Sequence, residues 1–313
     1  MPMTQEHQTA WERQHRAANY AEISTRIAHI LPSDGMIEPL PGVHVYRVSG
    51  PTEPIHGVTV PAFCVIVQGR KMVLLAADQY HYDPAHYLLT TAALPVVGQI
   101  TEATPEAPYL SLRFALSPAL ISSVMAEVGV TPVASQASVR ALAVSSLDGE
   151  FMDVVVRLVR LFNSSRDAQV LGPLIMRELV YRLLMSEQGM RLRQIAIIGG
   201  AEHRIMGALA QIQRDFHQPL RIPDLAQAVG MSVSGFHSHF KAVTAMSPGQ
   251  YQQQLRLQEA RRLLLSEDLD AASVGARVGY DDAAYFTRAY KRLFGAPPIR
   301  DATRMRAVVM AGG

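Results

Sequence analysis

The feature that most constrains this chain is an internal near-repeat in its last hundred residues. Leu225-Ala-Gln-Ala-Val-Gly230 is echoed by Val274-Gly-Ala-Arg-Val-Gly279. Each run reads as a short helix closed by a glycine, which takes the left-handed conformation of a helix end without steric cost. A second amphipathic helix follows each copy, over Val233–Val243 and Ala283–Leu293. Phe236 and Phe240 are four residues apart, as are Phe286 and Tyr290, so each pair shares one helical face directed inward. Lys241 and Lys291 come directly after. Gly230 to Phe236 is six residues and Gly279 to Phe286 is seven, so the second turn carries one extra residue. Between the copies, Ser247 as N-cap and Pro248 as first helical residue open a long helix through Tyr251, Leu255, Leu257, Ala260, Leu263 and Leu264 to about Ser266.

Helix, tight glycine turn, helix is the helix-turn-helix pattern. In such a unit the second helix lies in the major groove and the first crosses the backbone. The connecting helix, about 19 residues at about 1.5 Å each, spans roughly 28 Å. That is close to the ~34 Å of one turn of B-DNA, so two recognition helices can reach successive grooves on one face of a duplex. Charge is distributed to match. Arg204 to Gly313 hold 14 Lys+Arg against 9 Asp+Glu, whereas the preceding residues hold 15 against 18. A basic C-terminal unit on a mildly acidic body suits a polyanionic partner at that end only.

Leu225–Lys241, Met246-Ser-Pro-Gly-Gln-Tyr251, Leu255-Arg-Leu-Gln-Glu-Ala-Arg-Arg-Leu-Leu264, Val278-Gly-Tyr-Asp-Asp282 and Tyr285-Phe-Thr-Arg-Ala-Tyr-Lys-Arg-Leu-Phe-Gly295, followed by Pro297-Pro298, together resemble the DNA-binding domain of the AraC/XylS family over about a hundred residues. The resemblance implies a sequence-specific DNA-binding transcription regulator, with double-stranded operator DNA as partner and RNA polymerase as a second partner if it activates.

The first half is built differently. Residues 1–31 read as a polar helix with a narrow apolar stripe at Ile23, Ile27, Ile30 and Leu31, stopped by Pro32. From Gly35 to about Ala115 come short β-type runs: Val43–Ser49, Ala62–Val67, Met72–Leu75, Gln79–Tyr82, Tyr87–Thr90, Val96–Thr101 and Tyr109–Ala115. Gln68-Gly69-Arg70-Lys71 reads as a hairpin turn between two of them. Seven short strands at this spacing suggest a sandwich or barrel. Ser117-Pro118 and Gly129 bound a helix over 118–128. Phe151, Val154, Val155, Leu158, Leu161 and Phe162, then Leu174, Ile175, Leu179, Val180, Leu183 and Leu184, recur at helical spacing and form a helical hairpin, whose apolar face packs on the sheets, mediates dimerisation, or does both. Ile55, Pro61–Lys71, Tyr80-His-Tyr-Asp83, His86-Tyr-Leu-Leu89, Leu94-Pro95-Val96 and Glu102–Leu110 resemble the AraC-type N-terminal sensor region, which implies a cupin-like barrel.

The expected architecture is therefore multidomain α+β. An N-terminal cupin-like β-barrel with a helical hairpin occupies 1–195 and serves effector sensing and dimerisation. A linker follows at 196–203, within a boundary region from Arg191 to Glu202 that contains Gly199-Gly200. An all-α domain with two helix-turn-helix motifs occupies 204–306, and 307–313 are a tail.

By position on the exposed faces of the two recognition helices, the candidate DNA contacts are Ser234, His237, Ser238 and Lys241 in the first, and Tyr285, Thr287, Arg288, Lys291 and Arg292 in the second. Arg288 is the candidate for a bidentate guanine contact, worth about 1–3 kcal/mol of discrimination. Lys241, Lys291 and Arg292 fit phosphate positioning. Gly235 inside the first recognition helix, and Ala283 and Ala284 in the second, depart from more polar readers in the family. Candidate effector contacts in the barrel are the polar strand residues Gln68, Lys71, Tyr82 and Arg113, for a small-molecule effector.

No cofactor and no metal is expected. His81 and His86 are not at the closely spaced His-x-His of a metal cupin, and His237 and His239, two apart on a helix, point to different faces. The single cysteine, Cys64, lies in an apolar run that suggests a buried, inert thiol, and it permits no intrachain disulfide. Met1 to Arg16 lack the apolar run of a signal peptide, and Val58 to Val67 are too short for the about 20 residues that span a bilayer. The expectation is a cytoplasmic homodimer with no membrane association and no enzymatic activity. Two alternatives stay open: a cupin-like enzyme fused to a DNA-binding tail, and a barrel used only for oligomerisation.

Overall fold

The computed structural model describes residues 5–129, 139–196 and 201–311. The chain divides into two compact units that part at His203 and Arg204.

The first unit opens with helix α1 (Gln5–Ile30). Strands β1 (Gly35–Leu40), β2 (Val43–Val48), β3 (Ile55–Val58), β4 (Ala62–Gln68), β5 (Arg70–Leu75), β6 (Asp78–Tyr82), β7 (His86–Thr90), β8 (Pro95–Glu102) and β9 (Tyr109–Ala115) follow. Then come α2 (Pro118–Val128), β10 (Leu142–Ser146), α3 (Gly149–Arg160), α4 (Ser165–Met185) and α5 (Gly189–Ala196). The strands form a six-stranded sheet, ordered β1-β2-β9-β4-β7-β10, and a four-stranded sheet, ordered β3-β8-β5-β6.

The residue pattern of β9 shows how the two faces of the larger sheet are used. Leu110, Leu112 and Phe114 point to one side, where they join Val43, Val45, Phe63, Val65 and Leu89 in a core with the helices. Tyr109, Ser111 and Arg113 alternate with them and point toward the smaller sheet. Helix α1 supplies Ile23, Ile27 and Leu31 to the helical core. Its polar face is held by α3: Asp153 accepts from Asn19 at 2.9 Å and pairs with His15 at 3.0 Å, and Arg160 donates to both Glu22 oxygens at 2.8 and 2.7 Å.

The expected hairpin at Gln68–Lys71 is not a hairpin. β4 pairs with β7 and β9, while β5 pairs with β6 and β8, so the chain changes sheets at Gly69. Gly69 has φ +86°, and a Cβ there would lie 2.5 Å from the Glu102 carbonyl oxygen and 3.2 Å from Tyr109 Cα. The glycine is demanded by close backbone approach at a corner between two layers. The true two-residue hairpin is Ala76-Ala77 between β5 and β6, with Leu75 opposite Asp78 and Ala76 at φ +54°. Three strands were not anticipated. β1 carries Pro39 at a sheet edge, β3 carries Gly57, and β10 extends the larger sheet beyond β7 from far along the chain.

In α4, Leu179, Val180, Leu183 and Leu184 enter the core with Phe151, Val154, Val155, Leu158 and Leu161. Leu174 does not. It is 58% exposed and lines up with exposed Val170, Leu171, Tyr181 and Met185 on the opposite face of the helix. The expected linker at 196–203 overlaps two helices at its ends, with Ala196 closing α5. Residues 197–200 lie outside the described residues, and Ala201–His203 already form the first turn of α6 (Ala201–Arg214).

The second unit continues with α7 (Ile222–Ala228), α8 (Val233–Thr244), α9 (Pro248–Ser266), α10 (Ala271–Arg277), α11 (Ala283–Phe294) and α12 (Pro298–Ala311). Helix α12 carries regular structure to Ala311, past the 306 boundary expected for the tail. No described helix is long and apolar enough to cross a membrane.

Candidate nucleic-acid interface

Two helix pairs, α7–α8 and α10–α11, are built on the same plan. In the first, Gly230 at φ +63° closes α7, and Arg204 from α6 donates to its carbonyl at 3.0 Å. Ser232 caps α8 by accepting from the Gly235 amide at 3.2 Å. In the second, Gly279 at φ +92° closes α10, and Asp282 caps α11 by accepting from the Ala284 and Tyr285 amides at 2.7 and 3.0 Å. Those amides hold the Asp282 carboxyl below its usual pKa range. Phe236, Phe240, Phe286 and Tyr290 are fully buried. They are the core of each pair and offer no surface to bases.

Helix α9 joins the pairs and starts with a reciprocal capping box, in which the Ser247 hydroxyl accepts from the Gln250 amide and the Gln250 side chain accepts from the Ser247 amide. Its 19 residues match the expected connector. Arg256, on this helix, donates to the carbonyls of Phe216 at 2.6 Å, Gln218 at 2.8 Å and Gly279 at 2.7 Å. Gln252 adds a bond to the Gln218 carbonyl at 2.7 Å. The segment between α6 and α7 is thereby clamped to the turn of the second pair. A second clamp is Asp301 of α12, fully buried, which accepts from Arg261 at 2.8 and 3.2 Å, Tyr290 at 3.0 Å and Arg304 at 3.2 Å. Arg204, Arg256 and Asp301 escaped the sequence reading, because their partners are backbone carbonyls or lie dozens of residues away.

The recognition-helix candidates are distributed as follows. Ser234, His237, Ser238 and Lys241 are exposed on α8, with Ser234 Oγ 3.3 Å from Ser232 Oγ. On α11, Tyr285, Arg288, Lys291 and Arg292 are exposed. Tyr285 rests on the Tyr280 ring at 5.9 Å, and its hydroxyl accepts from Gln253 at 3.4 Å. Thr287 is half-buried, and its hydroxyl donates to the Ala283 carbonyl at 2.9 Å, which removes its donor from any outside partner. Ala245 ends α8 at φ +65°, where the second copy has Gly295 at φ +79°.

Of the barrel candidates, Lys71, Tyr82 and Arg113 lie on strand faces turned into the space between the two sheets. Gln68 stands apart, since its side chain donates to the Pro108 carbonyl at 2.9 Å and fastens the loop before β9. The alternation on β2, β4 and β9 marks further interior groups that sequence reading passed over, namely Tyr46, Cys64 and Tyr109. Cys64 is largely buried, and burial pushes its thiol up to about 11. Among the described residues no group of three His, Cys, Asp or Glu side chains is placed to hold a metal ion.

Comparison with known proteins agrees with this geometry. Residues 39–191 match the family described as AraC-type transcriptional regulator N-terminus, and residues 225–304 match a helix-turn-helix domain family. The MmsAB operon regulatory protein of Pseudomonas aeruginosa is 35% identical over 100 residues, 32% of this chain and 33% of that protein. The chain belongs to the AraC/XylS family. Another relative, the HTH-type transcriptional regulator ArgR of the same organism, is 24% identical over 155 residues, 50% of this chain and 47% of that protein. The AraC-type matches thus span from about a third to about half the length of these curated relatives. A crystal structure of ToxT from Vibrio cholerae with an unsaturated fatty acid bound covers 82% of this chain and 92% of its own, with TM-score 0.52 and 9% identity. At that identity the likeness shows the fold alone: a sheet-rich first domain and a helical second one.

Proposed function

We propose that this chain is a sequence-specific DNA-binding transcription regulator whose first domain takes a small-molecule effector. The observation that carries the reading is the pair of recognition helices, α8 and α11. Each exposes polar and cationic side chains on one face, and Arg256 of α9 ties the segment before the first pair to the turn of the second. In this reading Arg288 contacts a guanine edge, His237 and Ser238 reach base edges or phosphate, and Lys241, Lys291 and Arg292 hold the backbone.

The test is selection of the full chain on a random duplex pool, followed by salt-dependent binding to the selected sequence. Arg288→Ala lowers affinity for that sequence by about 1–3 kcal/mol and relaxes preference at one base pair. Lys291→Ala weakens all sequences alike and reduces the salt slope by about 1. Absence of any selected sequence, with and without a library of small molecules, would remove the proposal.

The exposed apolar stripe on α4, from Val170 to Met185, is assigned in the same reading to a second copy of the chain. Leu174→Glu then shifts the sedimentation equilibrium toward monomer; an unchanged mass refutes that assignment. The barrel is read as a binding domain rather than an enzyme, in a protein acting on DNA in the cytoplasm.

A further inference from the structure

Among the described residues, Lys71 and Arg113 face the space between the two sheets and no carboxylate pairs with either. Lys71 on β5 stands opposite Tyr82 on β6, and Arg113 on β9 stands opposite Cys64 on β4. The Lys71 side chain lies flat over Gly98, where a Cβ would meet its Cε at 3.0 Å and Nζ at 3.5 Å. Burial lowers the pKa of this ammonium, and the neutral Cys64 thiol and the Arg113 guanidinium are the titratable groups nearest it in effect. The thiol in turn feels both cations, so groups from the two sheets converge on one place. Arg113 touches the Tyr46 ring at 6.0 Å, but its Nε is buried without a hydrogen-bond partner.

The acids of this region are engaged elsewhere. Asp83 pairs with His86 and Arg70, Glu102 with Arg70, Asp78 with Arg140, and Glu38 stands beside His44. Neither Lys71 nor Arg113 forms an ion pair among the described residues. Lys71 and Arg113 are both half-buried, and two like charges partly shielded from water without a counter-charge are unfavourable; an anion placed between them relieves the arrangement. Around them lie the apolar, buried Ile66, Val73, Leu88 and Ile100, together with the hydroxyls of Tyr82, Tyr109 and Ser111.

We infer that the barrel binds a small organic monocarboxylate with an apolar body, its carboxylate held between Lys71 and Arg113 and its body among the apolar side chains of the two sheets. A guanidinium and an ammonium satisfy the two oxygens of one carboxylate. The inference rests on the effector reading above and narrows its chemical class.

The experiment is thermal unfolding of the full chain in chloride buffer, titrated with sodium phenylacetate and sodium hexanoate at constant ionic strength. Their neutral amides, phenylacetamide and hexanamide, and inorganic phosphate run alongside. At least one carboxylate raises the melting temperature, its amide does not, and Lys71→Met and Arg113→Met each weaken the binding at least 10-fold. Independently of ligand, Lys71→Met melts at or above wild type, because it removes a charge that has no internal counterpart. A fall of several degrees would reveal a structural partner for the ammonium and overturn the inference. So would equal stabilisation by the amides, stabilisation by phosphate alone, or carboxylate binding that persists in both variants. Failure of both carboxylates overturns it as well. The broader effector reading fails separately, when a library of neutral sugars and aromatics also leaves melting and DNA binding unchanged.

Discussion

Gly230 and Gly279 are the same residue in the two copies of the repeat, both left-handed, yet alanine has very different effects at the two. At Gly230 the nearest atom to an added Cβ is Arg204 Nη1, 3.6 Å away, which is ordinary contact. The cost is that of a left-handed L-residue, about 1–2 kcal/mol. At Gly279 the same backbone cost applies, and the Cβ also falls on the His217 carbonyl, far inside 3.0 Å, and 2.9 Å from Arg256 Cζ. The carbonyl cannot retreat freely, because its neighbours Phe216 and Gln218 accept from Arg256. Hydrogen bonds to charged groups contribute about 1.5–3 kcal/mol each. Losing one of them on top of the backbone cost brings Gly279→Ala to about 2.5–5 kcal/mol. Hydrogen exchange of the α9 amides in the full chain reads this directly, at about tenfold per 1.4 kcal/mol. Gly230→Ala speeds exchange roughly 10-fold, and Gly279→Ala at least about 60-fold on the same scale. Two variants within threefold of each other would refute the claim that the second turn is clamped by Arg256.

Asp301→Ala strands Arg261, whose side chain is 12% exposed, without its carboxylate. Loss of about 3–5 kcal/mol is expected, seen as deprotected α11 and α12 amides; unchanged protection there would show that the buried carboxylate is dispensable. Glu22 on α1 is held at a pKa of about 2 by its bonds to Arg160, against an ordinary 4.5. Its folded pKa is depressed, so its contribution is full above about pH 4.5 and is lost as pH falls toward 2. The pair is solvent-accessible, so this contribution is under about 1 kcal/mol and weakens with salt. Trp11, the chain's single tryptophan, is on the same helix and stacked on His15, so its fluorescence follows the detachment of α1. Glu22→Gln should flatten that acid transition, and a transition identical to wild type would assign it to another group.

How far the sequence could be read depended on the range of the interactions involved. The helix-turn-helix pairs were legible because their determinants are local: Gly230 and Gly279 for the turns, Ser247-Pro248 for the cap, and aromatics four apart for the core. The exposed faces of α8 and α11 followed from the same periodicity, except that Thr287 turns its hydroxyl back to Ala283. Layering of the barrel was not legible. Gln68-Gly69-Arg70 has the composition of a hairpin, and only the pairing partners of β4 and β5 reveal a corner between sheets. Leu174 shares a helical periodicity with Leu179, Leu183 and Leu184, and periodicity marks a face as apolar without saying what covers it, so packing and dimerisation stayed open for it. Arg256 and Asp301 escaped because a buried ion's partners are set by tertiary approach. The alternation Tyr109-Leu-Ser-Leu-Arg-Phe114 did contain the interior face of the barrel, once one knew which side met the helices.

The clamp of Arg256 on three carbonyls makes the DNA-binding unit a ruler with a single graduation. A flexible joint between two readers would let them follow sites at several separations. In the reading proposed above, α9 and its guanidinium favour one offset, and the two blocks of an operator then stand a fixed distance and rotation apart. Five base pairs inserted between them would carry the second block to the far side of the duplex, and ten would restore its side but place it a full turn, ~34 Å, out of reach. On that reading, variation among its sites is expected only in the bases within each block, with a constant gap between blocks.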